Sequence, residues 1–394
     1  MKYLLPLLLA VYGSTALYGQ TYFNITGGYV VQNDSFLVLQ NAGFANAGTF
    51  TANGGTVSFS GNAADNLSSI EGASSTSFYR LQINKSANNA QLNQAATVAD
   101  TLIFSGGHLD IQNHNLTILP GGGILGADAS RHVKTTGTGA LVRTVDNNPA
   151  EYPVGNSPYH PATLHNAAAV DQFSVRICDA VLNNGYTGSA YLTDVVGRTW
   201  FVEEITPGGS DLSLTLYWNG SEELTGFDRS MSYISRFDAG LWDAQPLTAA
   251  GGGDPYTQTR IGITSLSPFA VLGADFEQLI QILGQIIWRG DGFTGVKDAQ
   301  VDATGDLNGT AITDMSGNYS LSDLSGQGDV TITPTKTINL LNGVDVGDAL
   351  AIQQHLTAIN TVSDPYTQIS MDVNTDNKIS TLDALIIGQT LLGN

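Results

Sequence analysis

Cysteine is almost absent: Cys178 stands alone, so no disulfide can form within the chain. It lies in the strand-like run 173–178, where a buried structural thiol is expected rather than a reactive one. Basic residues are also scarce, with 15 Lys and Arg against 35 Asp and Glu and a formal net charge of −20. That field repels phosphate backbones and anionic lipid, argues against nucleic acid as a partner, and makes divalent cations the natural complement. Long apolar runs are missing as well. The run at residues 4–11 is far shorter than the roughly 20 residues of a membrane-spanning helix, so no transmembrane segment is expected. Missing too are an H-E-x-x-H zinc motif, a G-x-S-x-G elbow and a phosphate loop, which removes the usual markers of zinc-peptidase, serine-hydrolase and nucleotide chemistry.

What is present in quantity is Gly, 45 residues of it, with abundant Thr, Ser, Asn and Asp. These residues favour turns, short strands and oxygen-rich loops over long helices. The expected class is mainly β and multidomain. Residues 1–19 combine Lys2, the apolar run and the small residues Ser14, Thr15 and Ala16, the three regions of a secretory signal peptide. An exported chain, extracellular or at the cell surface, is therefore expected. Residues 20–135 string together short alternating segments about 20 residues apart, the spacing of a β-solenoid or of an irregular sandwich. In residues 136–280 the strands lengthen and alternate, as in Leu212, Leu214 and Leu216, which predicts an antiparallel sandwich with one buried face. Residues 281–336 read as a further small β-sandwich, with Val296, Ala299 and Val301 able to face its core and a hairpin over 313–321.

Candidates for hydrolytic carboxylates are Glu203, Glu204 and Asp228, but paired acids in an acidic chain equally read as a solvated strand edge. A glycosidase needs two carboxyls held about 5–10 Å apart across a cleft. His160 and His165 flank a short segment with no third zinc ligand. Trp200, Trp218, Trp242 and Tyr217 read either as core or as a sugar-stacking platform. No catalytic constellation rises above these alternatives, so a non-catalytic protein is expected.

The most specific chemistry lies in residues 372–383. Asp372, Asn374, Asp376, Ser380 and Asp383 take positions 1, 3, 5, 9 and 12, and Lys378 offers its carbonyl at position 7, the oxygen spacing that wraps one calcium ion in a twelve-residue loop. Asn377 occupies the position usually held by Gly and tolerates a left-handed backbone. Ile379 should pin the loop to the core. The pattern recurs 35 residues earlier: Val344, Asp348, Ala349, Leu350, Ile352, Gln354 and Leu356 match Ile379, Asp383, Ala384, Leu385, Ile387, Gln389 and Leu391. Helices over 347–359 and 381–392, sharing a core of Leu350, Ile352, Leu385 and Ile387, are expected. The first loop carries Asn339 and Asp348 but Thr337 and Leu341 where ligands belong, so it should bind weakly or stay empty.

On these motifs the tail, residues 337–394, resembles a type I dockerin, a small α-helical EF-hand-like calcium domain. The resemblance implies a calcium-dependent module that docks onto a cohesin, often in assemblies with a role in polysaccharide catabolism. Its recognition positions would fall on Val346, Gly347, Thr381 and Leu382 at the helix starts and on Gln353, Gln354, Gly388 and Gln389, which otherwise read as ordinary helix surface and core. Residues 281–336 resemble a carboxypeptidase regulatory-like sandwich of the collagen-adhesin B type, usually a spacer. The phrases at 78–85 and 106–111 resemble surface proteins of the Bacteroidetes group. Two functions follow from the whole: a scaffold or adhesive protein tethered by its tail, or a carbohydrate-binding or glycoside-hydrolysing component with a polysaccharide as a further partner.

Overall fold

Apolar residues that recur on alternate positions of short strands, one coil after another, can bury their side chains only if each coil stacks on the last. A computed structural model of the chain describes residues 9–12, 21–62, 68–87, 89–288, 294–325, 329–338 and 343–393. It shows that stacking. The structure is mainly β, solenoid-like at the N-terminal end and helical at the C-terminal end. It divides into two units, 1–276 and 277–394.

In the first unit Phe36–Gln40, Thr56–Gly61, Thr76–Lys85 and Ala96–Gly106 pair in parallel, each with the next. The partners Leu37, Val57, Leu81 and Leu102 form one interior column, at intervals of 20, 24 and 21 residues, and Leu39, Phe59, Ile83 and Phe104 form another. All eight are buried. Each contributes about 1.5–3 kcal/mol of transfer free energy when buried in this way. A second parallel sheet runs beside the first, from Thr21–Ile25 through Ala42–Asn46 and Ser68–Glu71 to Val154–Gly155. Phe44, on that sheet, packs edge-on against Phe50 and Phe78 with ring centroids 5.1 and 5.4 Å apart. At a corner between coils, Asn46 is buried and its amide donates to Ser75 O and Thr76 Oγ1, both at 3.2 Å. Gly72 passes this corner with φ of 124°, where a Cβ would stand 2.0 Å from Asn46 O, so only glycine fits. Leu9–Tyr12, within the range expected to be a signal peptide, pairs in parallel with Phe36–Gln40.

The sense of pairing changes at Leu141–Val145. This strand pairs in parallel with Leu116–Ile118 on one side and antiparallel with Asp171–Cys178 on the other. Beyond it the sheet continues antiparallel through Val195–Glu204, Pro268–Gly273 and Ser232–Asp238. A five-stranded antiparallel sheet built on Ala162–Asn166, Leu212–Trp218 and Tyr256–Ile263 completes the sandwich. A single core runs from Ile25 to Val271, so the expected domain boundary near 136 is a change of strand direction within one core.

The tryptophans do not form a platform. Trp200, Trp218 and Trp242 are buried, and their indole N–H groups donate to His160 O, Glu223 Oε1 and Leu182 O at 3.1, 2.9 and 3.0 Å. Tyr217 is part-buried, with its hydroxyl 3.3 Å from Thr163 Oγ1. Cys178 is half-buried rather than buried, because Ile177 takes the inward position beside it. Glu203 and Glu204 are consecutive on one strand and so point to opposite faces of the sheet, while Asp228 caps a turn through Ser230. His165 bonds Asn147 at 2.8 Å.

His160 takes part in a buried ion cluster. Its Nε2 lies 2.5 Å from Glu222 Oε1, and the Arg198 guanidinium lies 3.4 Å from the same oxygen. His160 precedes a strand of the five-stranded sheet and Arg198 belongs to the larger one, so the cluster ties the two sheets together. Burial pushes the Glu222 carboxyl up, but the bond and charge of His160, the N–H of Asn219 and Arg198 outweigh it and hold the group below its ordinary value.

In the second unit Gln300–Gly305 lies between Gly309–Ile312 and Val330–Thr335, and Leu279–Gln285 pairs with Asn318–Ser325. Val301, Ala303, Leu307, Leu321 and Leu324 make its core, and Ala299 is also buried. The segment 313–321, expected as a hairpin, is instead a turn between sheets. Asp314 accepts from the N–H of Ser316 and Asn318, and the flanking strands pair with different partners.

Glu222→Ala is expected to lower the unfolding free energy by about 3–5 kcal/mol, the usual cost of leaving a buried ion-pair partner alone. Because the folded carboxyl is held below its ordinary 4.5, its stabilisation is present above that pH and lost as pH falls through the folded value. Acid denaturation followed by circular dichroism should show a shallower pH dependence in the variant; an unchanged profile would remove this cluster from the account.

Candidate calcium centre

Among the described residues the tail holds three helices: α1 (Val346–Leu356), α2 (Pro365–Met371) and α3 (Thr381–Leu391). The limits of α1 and α3 are offset by 35 residues at both ends, the interval of the sequence repeat. Their caps repeat too. Asp345 and Ser380 are the N-caps, and Asp348 and Asp383, three residues on, each return a side-chain bond to the cap N–H at 2.8 Å. This capping box was legible as S-x-x-D and D-x-x-D, and Asp364 followed by Pro365 was the signal for α2, whose first turn Asp364 caps through Thr367 N–H. α1 ends three residues earlier than expected, because Ala358 turns left-handed at φ of 57° and the N–H groups of Ile359 and Asn360 both return to Gln354 O.

Ile352, Met371, Ala384 and Ile387 make the small core, with Val344 and Ile379 packed against it. Leu350 and Leu385, expected in that core, are 52% and 54% exposed. One residue per helix at that level is enough to seal a pair of short helices, and Ile352 and Ile387 hold the inward position. Leu350 and Leu385 instead extend an outer strip that Val346 begins on α1 and Leu382 on α3, both exposed. Gly347, Thr381, Gln353 and Gln389 are exposed, and Gln354 and Gly388 are half-buried. Val346, Gly347, Thr381 and Leu382 are thus exposed at the helix starts, and Leu350 and Leu385 are exposed beside them.

The loop between α2 and α3 is closed by its own acids. Asp372 Oδ1 accepts from Asp376 N–H at 3.1 Å and Oδ2 from Asn377 N–H at 2.8 Å. Asp376 accepts from Lys378 N–H at 2.9 Å and from the Asn374 amide at 3.1 Å. Asp383 is fully buried, with Oδ1 on Asn374 N–H at 3.2 Å and Oδ2 on Ser380 N–H and hydroxyl at 2.8 and 3.0 Å. Burial pushes this carboxyl up, and the bonds from Ser380, Asn374 and Val373 more than offset it, so it stays below the usual carboxylate range. Ser380 Oγ also accepts from Leu382 N–H at 3.2 Å, its duty as the helix cap. Thr375 and Asn377 both have positive φ, 57° and 65°. Asn377 suits the position; Thr375, being β-branched, is strained there.

Among the described residues no three His, Cys, Asp or Glu side chains converge as a metal cluster. The donor set nevertheless fits a hard cation: it is all oxygen, the carboxylate oxygens of Asp372 and Asp376 each keep a lone pair beyond the one bond made here, and no basic side chain pairs with Asp372, Asp376 or Asp383 in the described ion pairs. In the first loop Asn339 and Leu341 lie outside the described residues. Asp348 there is exposed, unlike its repeat Asp383, and serves Asp345 N–H.

Residues 341–392 match the family model of the dockerin type I domain. Domains of that type bind calcium and dock onto cohesin domains. The comparison with curated proteins and the comparison with solved structures each return no match. The dockerin match covers the helical tail and leaves the β unit outside it. No helix among the described residues is long and apolar enough to cross a membrane.

Thr375→Gly is expected to stabilise the dockerin-like tail by about 1 kcal/mol, since glycine relieves the left-handed penalty of roughly 1–2 kcal/mol at the cost of some chain entropy. Urea unfolding followed through the helical signal checks this; a less stable variant would show that the Thr375 side chain contributes more than its backbone costs.

Proposed function

We propose that the chain is an exported, non-catalytic β scaffold that attaches to a cohesin-type partner through its tail in a calcium-dependent way. The reading is carried by the matched surfaces of α1 and α3, where Leu350 and Leu385 stand open to the same degree at equivalent places of the repeat. Exposed leucines on a small helical module cost solubility and are retained where a partner covers them. Asp372, Asn374, Asp376, the Lys378 carbonyl, Ser380 and Asp383 would hold the ion, and Asn339 and Asp348 would hold a second weakly or not at all. Calcium would supply there the positive charge that the acidic loop lacks, and its binding would be a large share of the folding free energy of so small a core. The sandwich at 281–336 acts as a spacer and the solenoid-like unit as the displayed body. Export rests on residues 1–19, and a chain lacking them should stay inside the cell; its secretion would refute that element of the reading. The separation of Glu203 from Glu204 and the burial of three tryptophans favour the scaffold over a glycan-processing role.

The test pairs calorimetry with capture on an immobilised cohesin domain. One tight calcium site is expected, lost in Asp372→Ala and Asp383→Ala and little changed in Asn339→Ala. Capture should need calcium and fall at least about tenfold when Leu350 and Leu385 are both replaced by Asp, the effect of losing about 1.4 kcal/mol at a contact. Two equal sites, or capture unaffected by chelator, would refute the proposal.

A further inference from the structure

Four tryptophans are present in the chain, and three are buried in the first unit. The fourth, Trp288, ends the strand Ile287–Trp288 of the small sandwich and is 57% exposed. It does not face open solvent alone. Trp288 lines a cavity of about 510 Å³ whose other walls come from the helical tail, among them Ile352 of α1, Met371 of α2, Ile387 of α3 and Val373. The same cavity is lined by Asp372, the first residue of the acidic loop.

That placement gives Asp372 two duties. Its carboxylate gathers the N–H groups of Asp376 and Asn377, and its backbone joins Met371, which is buried in the tail's core, to Val373, which is partly exposed in the cavity wall. It is also the C-cap of α2, with ψ of 75°, so the chain bends out of the helix at this residue. Any closure of the loop around an ion therefore moves Met371 and Val373 with it, and with them the surface that faces the indole. An amphipathic ring half-covered by walls that include Ile352, Met371 and Ile387 gains from further burial.

We infer that Trp288 is an internal docking residue: it seats in the cavity of the tail, and its seating is coupled to ion occupancy of the loop at 372–383, so that spacer and tail tighten into one body when calcium binds. This rests on the calcium reading of that loop. Coupling of this kind is reciprocal. If calcium favours the seated indole, the seated indole favours calcium by the same factor. The partner-facing strip of Val346, Leu350, Leu382 and Leu385 has no member among the residues lining the cavity, so the docking leaves it free for attachment.

The experiment uses the full chain, with calcium chloride as the probe and calorimetry run beside tryptophan emission. On calcium addition the emission should shift to the blue and become less accessible to acrylamide. Both changes should vanish in Trp288→Phe, whose other three tryptophans remain buried. Trp288→Ala should still bind one ion but about fivefold more weakly, the lower end of ordinary coupling between sites. Since Trp288 is largely exposed, neither variant disturbs a core, and the wild-type emission change stands without them. Calcium heat accompanied by unchanged emission and quenching, or by wild-type affinity in Trp288→Ala, would overturn the coupling and leave the calcium site standing. Absence of calcium heat in the wild-type chain would overturn the calcium reading and the coupling together.

Discussion

Parallel backbone pairing between successive coils is the constraint on which the body of this protein depends. A short strand such as Thr56–Gly61 has too few residues to bury much surface, and its N–H and C=O groups must find partners on both sides. Stacking each coil on the last satisfies both demands at once. It pairs the backbone and lines up Leu37, Val57, Leu81 and Leu102 in one column. Corners then have to be narrow and polar, which is why Asn46 is buried with its amide satisfied and why Gly72 takes a conformation closed to other residues. The same constraint explains Leu141–Val145, which accepts a parallel neighbour on one side and an antiparallel one on the other. The sandwich beyond it inherits a partner for its first strand and shares the solenoid's core.

The tail solves a different problem. Its core rests on Ile352, Met371, Ala384 and Ile387, too little apolar surface to hold three short helices firmly. Hydrogen bonds accepted by acidic side chains supply the rest. Asp345 and Ser380 start the helices, Asp348 and Asp383 complete the caps, and Asp372 folds the loop by holding its N–H groups. A loop held by unpaired carboxylates is ordered but negatively charged, and it is suited to a divalent cation for that reason. The economy of the core also frees Leu350 and Leu385 for the surface. In a larger domain they would be covered by further helices; here they stay exposed.

Much of this was readable in the sequence. The interval of about 20 residues in the first region and the offset of 35 residues between helices are periodicities, and periodicity survives into structure because it reflects backbone geometry. The alternation that placed the strand Leu212–Trp218 likewise held, with Leu212, Leu214 and Leu216 buried. Composition and repeat therefore determined that the chain is mainly β, that it ends in two related loop-helix units, and that those units resemble the dockerin family.

Other features depended on which neighbours arrived in space. Leu350 and Ile352 are equally apolar, and only the approach of α3 decided that Ile352 goes inward and Leu350 outward. The tryptophans at 200, 218 and 242 could have lined a groove as well as a core until the two sheets closed over them. Glu222 carried no motif; its pairing with His160, 62 residues away, follows from the way the sheets meet. Trp288 and Asp372 line one cavity although they lie on chain segments that no local pattern connects. Local patterns are written along the chain by the hydrogen-bonding geometry of strands and helices. Which of several equivalent apolar or charged side chains is buried, paired or left open was decided by contacts between distant segments, and these exist only in the folded molecule.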